Sequence, residues 1–327
     1  MNTPERIRLA NLPTPLHRLD RLSESLDADI WIKRDDLTGL ELSGNKVRKL
    51  EFVLADARRA GCDTIITEGT CQSNHCRATA AACARLGMQA VLLFRPLPPA
   101  GVAGNQLLDS LFGAQTMAFS REDLSANKNA ILSRLSAELK REGRRPRFTP
   151  AGASEPLGCW GYIEAARELR DQLHAANIRK CDIVLAVSSC GTAAGLHLGK
   201  LLCGCGDWSI WNVPVSDDVE HHRREISRLC SESIEQFALP IKTSAEDIAF
   251  IDGYVGEGYA IPYQQAIDGL RLLARIEAIL LDPVYTAKAF CALLEMVRAG
   301  NLGKERPVVF LHTGGIFSNF AWPDVIL

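Results

Sequence analysis

The sequence predicts an α/β protein with two domains, each built on an open, mostly parallel sheet flanked by helices. Short apolar runs rich in β-branched residues alternate with helical patterns along the chain, and this alternation indicates a parallel sheet covered on both faces. The length of 327 residues favours two domains, because single cores stop growing near about 250 to 300 residues. The predicted strands are residues 63–67, 90–94, 182–187 and 307–312.

Residues 46–60 form the clearest predicted helix. Apolar residues recur three or four positions apart from Val47 onward, Arg48 and Lys49 fall on the polar face, and Gly61 provides a stop. Further helices are predicted over residues 76–86 and 195–202.

The charge balance and the absence of long apolar segments restrict the possible partners. The chain has 37 Lys plus Arg against 39 Asp plus Glu, a net charge of −2, so no bulk field favours nucleic acid or an acidic membrane. No window approaches the roughly 20 apolar residues that span a bilayer, and the N-terminus lacks a signal-peptide core. We therefore expect a cytoplasmic protein with a small-molecule partner.

The 11 cysteines occur singly within apolar stretches and not at the spacings of a disulfide framework. This pattern predicts reduced, mostly buried thiols. Cys203 and Cys205 have no matching Cys/His pair at zinc spacing, so packing is favoured over a metal site.

Small residues occupy the turn that follows the strand at 182–187. The segment SSCGTAAG, residues 188–195, leaves backbone N–H groups free to bind an oxyanion at a helix N-terminus. It lacks the Lys-Ser/Thr ending of a nucleotide P-loop and the GxGxxG spacing of a dinucleotide site. The turn predicts a phosphate site for a ligand other than ATP or NAD, although by itself it is equally compatible with tight packing.

A second strand-to-helix junction, TEGTCQSNHCRAT at residues 67–79, carries four consecutive hydrogen-bonding side chains. They follow the carboxyl end of a strand, which is the edge where open α/β sheets bind ligands. Helix capping accounts for one such side chain but not for four. The segment therefore predicts a binding site, and its polar residues are Gln72, Ser73, Asn74 and His75.

Lys46 follows Ser43, Gly44 and Asn45 at the start of the helix 46–60. A desolvated lysine with a lowered pKa can hold a carbonyl cofactor as a Schiff base. Pyridoxal phosphate requires such a lysine together with a phosphate site and a partner for its ring nitrogen. Because the chain also has a predicted phosphate site, Lys46 is the candidate attachment point for this cofactor.

Seven segments resemble the D-cysteine desulfhydrase and 1-aminocyclopropane-1-carboxylate deaminase family of pyridoxal-phosphate enzymes. The resemblance extends from about Leu12 to Gly315 and implies the tryptophan synthase β-like fold, fold type II, and a homodimer. It implies a large domain at residues 1–51 and 163–327 and a small domain at 52–162. The segments are LPTPLHRLDRLS, IWIKRDDLTG, LSGNKVRKLEF, QSNHCRATAAACARLGM, GCWGYIEAARELRDQL, LLDPVYTAKAF and FLHTGG.

The resemblance also implies roles for single residues. Lys46 binds the cofactor aldehyde, and Asn74 hydrogen-bonds its ring hydroxyl. Tyr285 has a plainer alternative, since it follows Asp282-Pro283 and packing of a turn would explain it. The implied residues are Lys46, Ser73, Tyr259 and Tyr285 for catalysis; Ser189, Cys190, Gly191 and Thr192 for the phosphate; and Ser73, Asn74, His75 and Gly314 for the substrate.

The partner of the ring nitrogen distinguishes the chemistries within this family. A carboxylate keeps the nitrogen protonated and makes a strong electron sink, whereas a hydroxyl leaves the ring less electron-poor. The cyclopropane deaminases have Glu after the DPVY tyrosine, where this chain has Thr286; Thr313 is the other hydroxyl implied to reach the nitrogen. The chain therefore resembles the desulfhydrase branch, which implies α,β-elimination with Lys46 or Ser73 as the base at Cα.

Several alternatives stay open from the sequence. A 1-aminocyclopropane-1-carboxylate deaminase, an L-cysteate sulfo-lyase and a racemase share the chemistry, and a protein that binds without turnover could keep the fold. Glu68 stands where relatives have a small apolar residue. If its side chain enters the site, we expect it to repel an anionic substrate side chain. Loops at 96–101 and 143–148 are expected at the edges of the small domain.

Overall fold

Two sheets flanked by helices organise the chain in the computed structural model, which describes residues 3–95 and 102–327. The loop expected at 96–101 lies outside the described residues, and Pro146–Phe148 of the expected loop 143–148 is a strand. The strands are β1 (Leu16–Arg18), β2 (Ile30–Arg34), β3 (Thr64–Thr70), β4 (Gln89–Arg95), β5 (Gln115–Ala118), β6 (Pro146–Phe148), β7 (Cys181–Val187), β8 (Trp208–Pro214), β9 (Ala249–Phe250) and β10 (Val308–His312).

The strands and helices predicted from the sequence all form, with bounds that differ by a few residues. The helices are α1 (Asp20–Leu26), α2 (Asn45–Arg59), α3 (Asn74–Leu86), α4 (Gly104–Leu111), α5 (Arg121–Arg141), α6 (Pro156–Ala175), α7 (Gly191–Leu202), α8 (Val219–Phe237), α9 (Gln264–Glu277), α10 (Thr286–Arg298) and α11 (Pro323–Ile326).

The larger sheet has the strand order β1-β2-β10-β7-β8-β9 and is parallel except for the antiparallel edge strand β1. Strand β10 pairs with β2 on one side and with β7 on the other, so the two ends of the chain share one sheet. The smaller sheet, β5-β4-β3-β6, is entirely parallel. The mostly parallel architecture is thus confirmed, whereas the domain boundaries at 51/52 and 162/163 stay a prediction.

Helices α6 and α7 pack unusually closely, and this contact positions one side of the site. A Cβ atom on Gly195 would lie 2.3 Å from the Cys159 carbonyl oxygen, and one on Gly199 would lie 2.4 Å from the Ala166 Cβ. Only glycine permits such an approach. On α6, Trp160 is completely buried against Phe52 of α2 and Phe237 of α8, and full burial of a large apolar side chain contributes about 1.5–3 kcal/mol.

Helix α2 is buried on more faces than its periodicity predicts. Arg48 and Lys49, which the sequence pattern places on a polar face, are 2 % and 0 % exposed. The Arg48 guanidinium donates to Asp35 Oδ1 at 2.8 Å and to Glu168 Oε1 at 2.8 Å, so its charge is paired. The polar-face prediction is wrong because α2 packs against both α6 and α3.

The eleven cysteines are free thiols and most are buried, as predicted. Over the residues that the structure describes, no helix has both the length and the apolar character needed to cross a membrane.

Candidate active site

A cavity of about 980 Å³ is lined by residues from both sheets. It lies at the carboxyl ends of β3, β4, β7 and β10, the edge where parallel sheets bind ligands. Most of the residues singled out from the sequence line it together: Lys46, Ser73, Asn74, His75, Ser189, Cys190, Thr192, Tyr259, Tyr285, Thr313 and Gly314.

The residues before Lys46 pack backbone to backbone against the end of β10. A Cβ atom on Gly314 would lie 2.7 Å from the Gly44 Cα, and the Asn45 N–H donates to the Thr313 carbonyl oxygen at 3.0 Å. Gly44 has φ of 100°, a left-handed backbone conformation that favours glycine. The segment Ser43–Asn45 therefore fixes the start of α2, and with it Lys46, against the β10 strand end.

The Lys46 amine is held at the cavity wall in a form suited to bonding with a carbonyl carbon. Its Nζ donates to Asn45 Oδ1 at 3.1 Å, and Asn45 Nδ2 donates to Thr192 Oγ1 at 2.9 Å. Desolvation lowers the pKa of Lys46 to about 8, although the nearby Asp282 carboxylate opposes this shift. Near neutral pH a useful fraction of this amine is therefore uncharged and nucleophilic.

The turn from β7 into α7 forms a small-residue cradle at a helix N-terminus. Cys190 has φ of 64°, which redirects the chain before Gly191 begins the helix. A Cβ atom on Gly191 would lie 2.7 Å from Ser154 Oγ, and one on Gly152 would lie 2.1 Å from Ser189 Oγ. Gly191 itself is outside the cavity lining. The close contact with Ser154 explains why this position requires a glycine. Sequence reasoning missed Gly152, because nothing local marks it as a neighbour of residue 189.

Lys49 is a second buried amine close to Lys46, although it is not among the residues that line the cavity. Its Nζ is buried and has no hydrogen-bond partner among the described residues. Burial, reinforced by the nearby Lys46, lowers the pKa of Lys49 well below its ordinary value. Cys190 of the small-residue turn is among its electrostatic neighbours. Buried polar atoms are normally paired, and a phosphate on this turn would supply the missing partner.

Ser73 and His75 both line the cavity and are held by different hydrogen bonds. Ser73 caps α3 by accepting a hydrogen bond from the Cys76 N–H at 3.2 Å. His75 Nε2 lies 2.9 Å from Thr67 Oγ1, which donates to the Thr149 carbonyl oxygen, so Thr67 accepts from the imidazole N–H. Burial lowers the pKa of His75 well below its usual value. His75 is therefore a neutral residue that lines the cavity.

A buried asparagine on α4 fixes the orientation of the Asn74 carboxamide. Asn105 Nδ2 donates to Asn74 Oδ1 and to the Gln72 carbonyl oxygen, both at 2.9 Å. The Asn74 oxygen is thus engaged, which leaves its NH₂ group free to donate to a ligand. Sequence reasoning did not identify Asn105, which is 31 residues away in the chain.

Arg77 connects this part of the site to the segment before Lys46. The fully buried guanidinium donates to the Glu41 carbonyl oxygen at 2.6 Å and to the Ser43 carbonyl oxygen at 2.8 Å. Its Nε donates to Asn105 Oδ1 at 3.3 Å. One side chain of α3 therefore joins the Lys46 loop to α4.

The two predicted tyrosines form a pair. The hydroxyls of Tyr259 and Tyr285 are hydrogen-bonded to each other, with ring centroids 5.9 Å apart. Burial raises the pKa of both, so both stay protonated at neutral pH. The loop that carries Tyr259 is held by the buried Lys288, whose Nζ donates to the Val255 and Gly258 carbonyl oxygens at 2.6 and 2.9 Å.

The structure separates the two threonines suggested for the ring nitrogen. Thr313 lines the cavity. Thr286 is fully buried outside the cavity lining, and its hydroxyl donates to Asp282 Oδ1 at 2.7 Å while accepting from the Asp282 N–H. The structure thus brings Thr313, and not Thr286, to the site.

Glu68 lines the cavity, but its charge is balanced. Its carboxylate forms an ion pair with the Lys128 ammonium on α5. Lys128, which is 60 residues from Glu68 in the sequence, therefore weakens the expected repulsion between Glu68 and an anionic substrate.

The chain is similar to pyridoxal-phosphate enzymes over nearly its whole length. The family model described as pyridoxal-phosphate dependent enzyme matches residues 7–314. A Pyrococcus abyssi protein provisionally named 1-aminocyclopropane-1-carboxylate deaminase is 37% identical over 322 residues, covering 98% of this chain and 95% of the relative. The D-cysteine desulfhydrase of Salmonella newport is 39% identical over 324 residues, covering 97% and 96%. A crystal structure described as an ACC deaminase homologue has a TM-score of 0.89 at 35% identity, covering 99% and 95%.

Proposed function

The chain belongs to the family of pyridoxal-phosphate dependent enzymes, with the fold type II architecture, and from this premise we propose that it catalyses α,β-elimination on a small β-substituted amino acid. The reaction supported best converts D-cysteine to pyruvate, hydrogen sulfide and ammonia. One observation carries this choice. The position that holds a glutamate in the cyclopropane deaminases is Thr286 in this chain, and its hydroxyl is hydrogen-bonded to Asp282. The cavity instead offers the neutral hydroxyl of Thr313 as a partner for the ring nitrogen.

The residues present fit the cofactor. Lys46 would hold its aldehyde, Asn74 its ring hydroxyl and Thr313 its ring nitrogen. The phosphate would take the turn at residues 189–192, where the unpaired amine of Lys49 gains a partner. When bound, pyridoxal phosphate withdraws electrons from the substrate Cα and so makes the Cα–H bond more acidic.

Lys46 is the better candidate for the base that removes the Cα proton. Its pKa of about 8 lies near the working pH, where general bases are most effective. Ser73 is less suitable, because its hydroxyl oxygen already accepts from the Cys76 N–H as a helix cap. We assign Ser73 instead to the substrate carboxylate, which the N-terminus of α3 also favours.

The tyrosine pair is suited to protonate the departing sulfur. Of the two hydroxyl protons, one is used within the Tyr259–Tyr285 hydrogen bond and the other is free to be donated. Both phenols stay protonated at neutral pH because burial raises their pKa values. The thiol leaves as hydrogen sulfide, and the released 2-aminoacrylate is hydrolysed to pyruvate and ammonia.

A 2-oxo acid assay over several substrates tests the proposal. The substrates are both cysteine enantiomers, both cysteate enantiomers, β-chloroalanine and 1-aminocyclopropane-1-carboxylate. We expect turnover of D-cysteine, and we expect Lys46→Ala to give no borohydride-trapped cofactor adduct on its peptide and to lose activity by about four orders of magnitude or more. Loaded wild-type protein that turns over none of these substrates would instead support binding without catalysis.

Deamination of 1-aminocyclopropane-1-carboxylate is the second candidate. It is favoured by two similar proteins: the Pyrococcus abyssi relative is provisionally named as such a deaminase, and the crystal structure is described as that of an ACC deaminase homologue. In the same assay, 2-oxobutanoate formation faster than pyruvate formation from D-cysteine would select it. The homodimer and the cytoplasmic location stay predictions.

A further inference from the structure

Asp109 on α4 is a buried carboxyl group that the proposed chemistry does not use. The residue is fully buried, and neither of its side-chain oxygen atoms has a hydrogen-bond partner among residues 3–95 and 102–327. Buried carboxylates are normally paired with donors, because an unpaired buried charge is strongly unfavourable. A protonated carboxyl group is tolerated at such a position far better than an ionised one.

The charged neighbour of Asp109 is Arg77 on α3, and its guanidinium is engaged elsewhere. It donates to the carbonyl oxygens of Glu41 and Ser43 and to Asn105 Oδ1, which are all neutral acceptors. Asn105 lies one turn before Asp109 on the same face of α4. A carboxylate beside a buried guanidinium normally accepts from it directly. Because Asp109 accepts no such bond in the described part of the chain, the arrangement is the one expected for a carboxyl group that carries a proton.

The elements that pack against α4 determine which charges face Asp109. These elements include α3 and the turn Ile316–Ala321, and the turn has no titratable side chain. The Phe317 ring of the turn lies 5.3 Å from the Arg77 guanidinium. The charged or titratable side chains that face Asp109 or its immediate neighbours are Arg77 and Cys76 on α3, Glu41 in the segment before α2, Glu68 on β3 and Arg95 on β4.

Asp109 changes charge before its two neighbours on α3 do. Burial raises the pKa of Asp109 to about 8, although the positive charge of Arg77 opposes the shift. Burial lowers the pKa of Arg77 only to about 10, and burial raises the pKa of the Cys76 thiol. Between about pH 8 and pH 10 the carboxyl group is therefore ionised while the guanidinium keeps its charge.

We propose that Asp109 is a positioning residue for the segment before Lys46. As a neutral acid it leaves the Arg77 guanidinium on the carbonyl groups of residues 41 and 43, and its ionisation draws the guanidinium away from them. An ionised Asp109 has no other donor among the described residues, so an ion pair with Arg77 is the arrangement that satisfies it. This role goes beyond the proposed elimination, since it does not depend on which substrate the site takes.

Withdrawal of Arg77 affects Lys46 in two ways. The segment before Lys46 loses a charged donor to its backbone. Burial is the main reason for the low pKa of Lys46, and the positive charge of Arg77 lowers it further. An ionised Asp109 beside Arg77 cancels part of that charge. The Lys46 amine is then less firmly positioned and more often protonated than it is beside a neutral Asp109 at the same pH.

Chemical unfolding of the wild-type holoenzyme and of Asp109→Asn tests the protonation state. The unfolded chain releases the Asp109 proton near its ordinary pKa of 3.8, and the folded chain holds it up to about 8. Rising pH therefore favours unfolding of the wild type between these values, and the effect levels off above about pH 8. Within this window we expect the unfolding equilibrium constant of the wild type, relative to that of Asp109→Asn, to rise about tenfold per pH unit.

Asp35→Asn is the matched control. Asp35 is also fully buried. Its carboxylate accepts hydrogen bonds from Thr14, Arg48 and Tyr162. Burial alone would raise the pKa of Asp35, yet Arg48 holds it below its usual range, so the ratio for this variant should stay constant between about pH 5 and pH 8. An equally flat ratio for Asp109→Asn would overturn the proposal, because Asp109 would then be ionised in the folded protein.

Amide hydrogen exchange of the holoenzyme measures how firmly residues 41–46 are held. At about pH 6 we expect this segment to exchange equally in the wild type and in Asp109→Asn. At about pH 9 we expect about tenfold faster exchange in the wild type, as for loss of a hydrogen bond to a charged group. Strand β7 of the larger sheet should exchange equally in both proteins at each pH.

Two results of this experiment would overturn the positioning role. One is equal exchange of residues 41–46 at both pH values, and the other is a change of the same size in β7, which would show a general loss of stability. Asp109→Ser, which is also neutral, takes the place of Asp109→Asn if the amide variant does not fold. Neither measurement requires turnover, so both decide on Asp109 even if the proposed function fails in the 2-oxo acid assay.

Discussion

The two sides of the cavity are built in different ways. One side, called the phosphate side here, comprises the turn at residues 189–192 and the segment before Lys46. It consists of close contacts among small residues, where Gly44 meets Gly314 and Gly191 meets Ser154. The substrate side consists of charged and hydroxyl side chains brought together from separate elements, such as Glu68 with Lys128 and Tyr259 with Tyr285. The phosphate side therefore depends on how closely small residues can approach one another, and the substrate side depends on ion pairs and hydrogen bonds between side chains.

This difference indicates where the properties particular to this chain reside. A glycine turn at a helix N-terminus suits any phosphate, so the first side specifies the cofactor and little else. We expect the ion pair between Glu68 and Lys128 at the cavity wall to influence which substituent is tolerated. Substitutions on the two sides should accordingly separate cofactor affinity from substrate choice.

Among the substitutions that compare the two sides, the largest effect is expected for Lys49→Met on the phosphate side. Losing a charge-assisted contact to the phosphate should weaken cofactor binding on the order of 100-fold. The apoprotein should become more stable, by about 1–2 kcal/mol, because a buried amine without a partner is replaced by an apolar side chain. Equilibrium dialysis of the cofactor and chemical unfolding of the apoprotein measure the two quantities.

Lys33→Met provides the matched control for that experiment. Lys33 is also buried, but its amine is fully paired with Thr14, Glu168 and Gln172. Its removal should destabilise the protein by about 3 kcal/mol, since it leaves the partly buried Glu168 carboxylate with fewer partners. Stability changes of the same sign in both variants would contradict the assignment of Lys49.

The next effect concerns the pH dependence of cofactor attachment. The pKa of Lys46 is about 8. The fraction of this amine that is uncharged therefore decreases about tenfold for each pH unit well below 8, and it approaches one at about a pH unit above 8. The attachment rate should therefore fall with acid and level off in alkali. Stopped-flow absorbance of apoprotein mixed with pyridoxal phosphate measures it, and a rate that rises as the pH falls would rule out this amine as the nucleophile.

On the substrate side, Lys288→Met should lower kcat by about tenfold, since two carbonyl groups of the loop before Tyr259 lose a charged donor. Cofactor content should be unchanged, because none of these atoms belongs to the phosphate side. Steady-state kinetics and cofactor absorbance measure the two quantities. The exposed Lys140→Met serves as the control, and an equal loss of cofactor in Lys288→Met would show a general structural effect.

The smallest effect is expected for Glu68→Ala. Removing this carboxylate frees the Lys128 ammonium and should improve sulfonate substrates relative to thiols by roughly two- to fivefold, the scale of a partly exposed ion pair. Cofactor content should stay the same. Relative kcat/KM values across thiol and sulfonate substrates provide the measurement, and identical profiles for variant and parent would defeat the idea.

The same contrast explains what could be predicted from the sequence. The parallel sheets, helix α2, the turn at 188–192 and Lys46 follow from short-range patterns of apolar spacing and small residues. Lys49 was misplaced, because periodicity reports one apolar face and α2 is buried on several. Asn105 and Lys128 contribute through contacts 31 and 60 residues away, and no local pattern encodes such distances.

Arg77 shows that contacts to backbone atoms can persist when the residues that supply those atoms are substituted. It holds the loop before Lys46 through the carbonyl oxygens of Glu41 and Ser43, and every amino acid has a carbonyl group. Substitution of the exposed Glu41 therefore leaves its hydrogen bond to Arg77 in place. Ser43 is more restricted, because its buried hydroxyl also donates to the Asp36 carbonyl oxygen at 2.9 Å. Arg77 has no such freedom, because a lysine offers a single ammonium where three separate acceptors are engaged.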